Sequence, residues 1–259
     1  MDPRPAVIER RLRGVRRIVA VTGGKGGIGK SSVAVGLALG LAADEARVGL
    51  LDLDLWGPSD HVILGVARPG LGEDGGLVPD VVAGVRFMSI ASIVGDDPAL
   101  LRGDDISNAV LELLAVTIWD DLDVLVVDMP PGFGDTLLDA ARYLPRAEYV
   151  VVTTPSELTL VTTRKTLELL RRLDLPVLGL VENLRRDGDS RGAGGAAAGG
   201  PATRGPAAGS ALRLLGTIGY DERYEASLGD PERLRGTAFC RDVRAVAAAL
   251  AGSSQAAKP

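Results

Sequence analysis

Continuous apolar runs alternate with amphipathic or wholly apolar helical stretches along most of the chain. The runs read as strands at 17–22, 47–53, 84–91, 123–129, 148–154, 176–182 and 213–219. The stretches between them read as helices at 30–43, 104–118, 134–143, 157–173 and 240–251. Strands that are apolar on both faces, separated by helices, predict a three-layer α/β fold: a doubly wound, mostly parallel sheet with helices on both sides. Right-handed crossovers follow from that order. A ligand in such a sheet binds outside the carboxyl ends of the strands. Two segments break the pattern. Residues 187–210 are almost entirely Gly, Ala and Pro with a few charges, and are expected to be a flexible insertion between the last two strands. Gly252 to Pro259 is expected to be a frayed tail, leaving one domain over 1–251.

Composition narrows the class. The length of 259 residues suits one large α/β domain, and with aromatics at 3% its core must be built from Val, Leu, Ile and Ala. A net charge of −5 argues against nucleic acid as the main partner. The single cysteine, Cys240, rules out an internal disulfide and suits a reducing cytoplasm. No apolar run approaches a membrane span, and no membrane partner is expected. The Arg-rich start, Met1 to Arg17, lacks the apolar core of a signal peptide. Its Glu9–Arg13 run reads as a solvated lead-in helix, or as a basic patch for an acidic partner.

The chemistry concentrates in Gly23-Gly24-Lys25-Gly26-Gly27-Ile28-Gly29-Lys30-Ser31-Ser32, which holds a P-loop, G-x-x-x-x-G-K-[ST], from Gly24 to Ser31. It lies between the 17–22 strand and the 30–43 helix, as a phosphate cradle requires. Glycines bring successive N–H groups close to a polyphosphate, so Gly24 through Ser32 are assigned to nucleotide binding. Lys30 should bridge the β- and γ-phosphates, and the Ser31 hydroxyl should ligate Mg²⁺. The chain has four lysines and two sit in this loop. The second, Lys25, reads either as a catalytic lysine reaching phosphate across a dimer interface or as a solvated loop residue.

Two polar strand ends follow. Leu51-Asp52-Leu53-Asp54-Leu55-Trp56-Gly57-Pro58-Ser59-Asp60 closes the second strand, with Asp52 and Asp54 on one side of an extended chain. Asp54 is assigned to orienting the attacking water and Asp52 to the Mg²⁺ shell; a pair of strand-end caps is the alternative. Asp128 ends the apolar 123–129 run and should hold Mg²⁺ through water. Pro130-Pro131-Gly132-Phe133-Gly134 after it suits a loop that senses the γ-phosphate, or a rigid turn. Asn183 closes the 176–182 strand, where its amide can pair with adenine or simply start a turn. No guanine-reading Asn-Lys-x-Asp is visible, which favours ATP.

These residues resemble the deviant Walker-A (SIMIBI-class) ATPases, and most closely the Mrp/ApbC family of iron–sulfur cluster carriers. The likeness rests on Gly24–Ser31, the Asp-x-Asp-x-x-Gly-Pro-Ser of 52–59, Gly84–Ile90, Arg102-Gly103, Asp128–Asp135 and Pro176–Asn183. The resemblance implies an ATP- and Mg²⁺-dependent homodimer with Lys25 reaching toward the partner's nucleotide. It also implies iron–sulfur scaffold or client apoproteins as partners. The chain departs from the family where a Cys-x-x-Cys usually follows Glu-Asn: Leu184-Arg185-Arg186-Asp187 stands there. Cys240 alone gives two thiolates per dimer, and an ordinary iron–sulfur cluster takes four. Cys240 reads as a small buried residue and His61 as a helix-start residue. Gly36 replaces a usual asparagine, and Gly219 a usual proline. The function expected is an ATPase switch in iron–sulfur cluster assembly. The alternatives are a MinD/ParA-like positioning ATPase and a small-acceptor kinase or synthetase.

Overall fold

The computed structural model describes residues 2–55, 57–66, 72–73, 75–89, 103–132, 135–186 and 212–253. The first half runs α1 (Arg4–Arg11), β1 (Val15–Thr22), α2 (Lys30–Ala43), β2 (Val48–Asp52) and α3 (Asp60–Leu64). Short strands follow as β3 (Gly72–Glu73), β4 (Leu77–Val78), β5 (Asp80–Val82) and β6 (Val85–Ser89), then α4 (Gly103–Val116) and β7 (Leu122–Asp128). The rest is α5 (Asp135–Tyr143), β8 (Ala147–Thr153), α6 (Glu157–Arg172), β9 (Val177–Arg185), β10 (Leu214–Gly219), α7 (Pro231–Arg235) and α8 (Ala238–Ser253).

Eight strands form one sheet in the order β10-β9-β8-β1-β7-β2-β6-β5. Every pairing is parallel except β5 with β6, an antiparallel edge hairpin. Strand alternation sorts the apolar residues onto two faces. Ile18, Ala20, Leu51, Leu125, Val127 and Tyr149 join the core beneath α1, α4, α5 and α6. Val19, Val21, Leu50, Val126, Val150 and Val152 join the opposite core with α2, α3, α7 and α8. The fold is the expected three-layer, mostly parallel α/β sandwich.

Helix α2 is apolar nearly all round because it lies between the sheet and α8. The absent side chain at Gly36 makes room for α8: a Cβ there would stand 3.1 Å from Phe239 and 3.2 Å from Val243. Gly219 has a comparable reason, since its N–H donates to Asp242 Oδ2 at 2.9 Å, a bond that proline could not make.

Three expectations need correction. The lead-in helix is docked rather than solvated: Ile8 and Leu12 are buried in the core, and Arg11 donates to the carbonyls of Gly75 and Ala115. The β5–β6 hairpin was not anticipated, because β5 is three residues long and turns through Ala83-Gly84 with φ of 49° and 83°. Gly252 and Ser253, expected in the frayed tail, belong to α8. The expected insertion at 187–210, the rest of the tail beyond Ser253, and Trp56, Phe133 and Gly134 of the motif loops lie outside the described residues.

Candidate nucleotide and metal site

The parallel register brings the polar strand ends level. Asp52 pairs with Asp128 on one side and Ser89 on the other, and Val21 pairs with Asp128. The P-loop leaves β1 at this row, so the phosphate cradle and the carboxylates are neighbours by construction. Helix α2 starts directly from the loop, with Val33 N–H donating to the Gly29 carbonyl at 3.0 Å. Gly29 has φ of 76°, and a Cβ there would also collide with Asn183 Nδ2. Gly26 and Gly27 face open space, leaving their backbone accessible to an anion.

Lys30 is buried, and its Nζ lies 3.6 Å from Asp128 Oδ1, an ion pair longer than a hydrogen bond. Ser31 Oγ donates to Asp128 Oδ2 at 2.6 Å. Asp52 Oδ1 accepts the Asp54 N–H at 2.9 Å, and its Oδ2 accepts from Ser89 Oγ at 3.1 Å. Asp54 Oδ1 in turn accepts the Gly57 N–H at 3.1 Å, which holds the second carboxylate at the rim of the same cleft. Lys25 is exposed beside that cleft and pairs with no acid among the described residues. The loop after β7 is tied to the P-loop through Gly132 N–H, which donates to the Gly23 carbonyl at 3.4 Å.

A cavity of 390 Å³ runs along Lys25, Lys30, Ser31, Ser32, Asp54 and Tyr224. A second, of 470 Å³, shares Lys25, Gly26 and Gly27 and continues over Thr154–Ser156 to Leu184 and Arg186. Tyr224, which packs on Phe239 at 4.7 Å, donates its hydroxyl to Ser32 Oγ at 2.6 Å.

Sequence reasoning missed Asp60. It is completely buried at the start of α3, and its carboxylate comes within 4.8 Å of those of Asp52 and Asp128. Burial drives the carboxyl pKa of all three upward; the negative Asp128 raises Asp52 and Asp60 further, while Lys30 pulls Asp128 back down. Asp60 was legible only as the residue after Gly-Pro-Ser, a position where an acid usually just favours a helix start.

The expectation for Asn183 narrows. Its amide nitrogen already donates one N–H to the Ile28 carbonyl at 2.9 Å, which fixes the side chain on the loop, and Oδ1 has no hydrogen-bond partner among the described residues. Where the chain departs from a Cys-x-x-Cys, β9 ends through Leu184, whose φ is 59°, and Arg185, which pairs with Glu182 at 2.6 Å, while Arg186 lies over the Tyr220 ring at 4.4 Å. Cys240 is buried in the α8 core, and burial pushes its thiol pKa up.

The sequence model of the ParA family described as NUBPL iron-transfer P-loop NTPase matches residues 14–195. The chain belongs to this family. Similar proteins include an iron–sulfur cluster carrier protein of Pseudomonas fragi, 48% identical over 67% of this chain and 62% of that protein. The carrier of Escherichia coli K12 is 45% identical over 67% of this chain and 48% of that one. The cluster transfer protein NUBPL of Dictyostelium discoideum is 38% identical over 70% and 57%. The matches thus span about half to three-fifths of those relatives' length. A nucleotide-binding protein of Archaeoglobus fulgidus, solved with ADP, superposes with a TM-score of 0.67 at 28% identity, over 89% of this chain and 92% of that one. The cell division ATPase MinD of Pyrococcus furiosus, at 20% identity, shares the fold with a TM-score of 0.62 over 92% and 99%. Among the described residues no helix is long and apolar enough to cross a membrane.

Proposed function

We propose that the chain is a cytoplasmic, Mg²⁺-dependent ATPase that works as a homodimer in iron–sulfur cluster transfer. It acts on clusters held by scaffold or client proteins, because it carries one cysteine and no four-thiolate set of its own. The observation that carries this reading is the joint placement of Lys30, Ser31, Asp52 and Asp128 at the mouth of the P-loop, in a chain of an iron-transfer NTPase family.

The residues fit Mg²⁺ and a triphosphate. Asp128 Oδ1 is buried without a hydrogen-bond partner, and its Oδ2 already holds the Ser31 hydroxyl, a Mg²⁺ ligand in other P-loops. Mg²⁺ would be held by Ser31, with Asp128 and Asp52 behind it, and would neutralise charge developing on the β- and γ-phosphates. The N–H groups of Gly26 to Lys30 cradle the phosphates, and Lys30 exchanges Asp128 for phosphate oxygen. Asp54, fixed by the Gly57 N–H, orients the attacking water. Lys25, exposed at the cleft and paired with no acid among the described residues, supplies charge to the nucleotide of a second subunit.

The test is ATP turnover by the purified chain with and without Mg²⁺, followed by anaerobic reconstitution with iron and sulfide. Expected are ADP and phosphate with Mg²⁺ only, no nucleotide binding by Lys30→Ala, and no stoichiometric cluster on the chain alone. Absence of turnover under all conditions overturns the ATPase reading. A stoichiometric cluster overturns the claim that clusters belong to its partners.

A further inference from the structure

Asp52 ends β2, Asp128 ends β7 and Asp60 begins α3, and all three side chains are completely buried. A carboxylate oxygen from each lies within 4.8 Å of the others. Their bonding is unequal. Asp52 accepts two hydrogen bonds, from Asp54 N–H and Ser89 Oγ. Asp128 accepts from Ser31 Oγ and faces Lys30. Neither oxygen of Asp60 has a hydrogen-bond partner, although both are sealed from solvent. Lys30 is the one cation paired with these three acids among the described residues. A buried carboxylate with no donor is costly, and such a group either keeps its proton or gives it up to a bound cation.

We propose that Asp52, Asp60 and Asp128 form a divalent-cation site that fills without nucleotide. An ordinary P-loop Mg²⁺ leans on the β- and γ-phosphate oxygens and on one or two carboxylates through water. Here Asp60 adds a third anionic oxygen ligand, so the ion does not depend on phosphate to be held. The donors are all oxygen, which selects a hard ion of the Mg²⁺ or Mn²⁺ kind over one that prefers nitrogen or sulfur. The ion would then be in place before the triphosphate arrives. The proposal rests on the functional reading above only for the position of the nucleotide relative to Asp52 and Asp128.

Mn²⁺ alone is the probe. The full chain, stripped of nucleotide, is titrated with Mn²⁺ while the free aqueous ion is followed by electron paramagnetic resonance. One Mn²⁺ should bind per chain, and excess Mg²⁺ should displace it. Asp60→Asn keeps the shape and removes one anionic ligand, so its affinity should fall at least about tenfold, since ligand charge count sets affinity in oxygen sites. Binding of a fluorescent ADP analogue without metal is measured on the same samples and should be unchanged in Asp60→Asn. No Mn²⁺ uptake by the nucleotide-free wild type overturns the proposal, as does equal uptake by Asp60→Asn. If that variant does not fold, a Mn²⁺-induced rise in the melting temperature of nucleotide-free wild type, undiminished in Asp60→Ser, overturns it instead. Failure of the functional reading would show separately, as absent nucleotide binding beside intact Mn²⁺ uptake.

Discussion

Replacing Asn183 by alanine separates two roles that its position in the last part of β9 allows. Its amide nitrogen donates to the Ile28 carbonyl at 2.9 Å, and the side chain is 1% exposed, so no water stands ready to take over the bond. The same nitrogen packs against Gly29, the residue that launches α2. Deleting the donor leaves a buried carbonyl unpaired, which costs about 1–3 kcal/mol. For a chain of this size that corresponds to a fall in melting temperature of roughly 2–12 °C. The loss lies in the loop itself, so ATP and GTP affinities should fall by similar factors, about tenfold for each 1.4 kcal/mol that reaches the binding step. The assay is thermal unfolding of the nucleotide-free protein, paired with titrations of both nucleotides. An unchanged melting temperature with loss of ATP affinity alone would refute loop-holding and return Asn183 to a base contact.

Lys25→Ala should bind ATP normally yet lose ATP-dependent dimerisation and phosphate release, read by size-exclusion chromatography and a phosphate assay; normal hydrolysis by this variant ends the trans-lysine reading. Asp54→Asn should bind ATP but slow turnover at least about a hundredfold, the usual scale of a lost base or water-positioning group, and its trapped state should enrich partners in a pull-down compared with Lys30→Ala. Cys240 is buried with its thiol pKa raised by desolvation, so alkylation at mildly alkaline pH should proceed only as fast as the protein unfolds, measured by mass spectrometry across a denaturant series. Gly36→Leu should lower stability by about 1–3 kcal/mol by forcing α2 from α8, because Phe239 and Val243 already stand at 3.1–3.3 Å from a Cβ at that site.

The main strands and helices were readable because each buried strand is a run of β-branched and aliphatic residues, and a polar residue marks its end. Asp52 and Asp128 could be paired in advance for that reason: each interrupts an apolar strand at its carboxyl end. Asp60 could not. Its local signal is that of an ordinary helix start, and only the packing of α3 over the strand ends brings it beside Asp128, far away in sequence. Asn183 was expected to close a strand at 176–182, whereas β9 runs on to Arg185 and holds it inside; its partner, the Ile28 carbonyl, is set by how β9 lies against the P-loop. In α1, the arginines suggested solvent, while Ile8 and Leu12, one helical turn apart, were the signal for burial.

The order of the central strands has a consequence for how the protein is made. β1 and β2 are never neighbours; β7 lies between them and pairs with both. A growing chain therefore holds two apolar strands with facing edges unpaired until residue 128 has left the ribosome, and pairing them directly would be a trap. Asp128, at the end of β7, arrives with the strand that closes this gap. The row of Asp52, Asp60 and Asp128 is thus completed in the same event that joins β1 to β2, before β8 covers the other edge of β1 and before Asn183 of β9 reaches the Ile28 carbonyl.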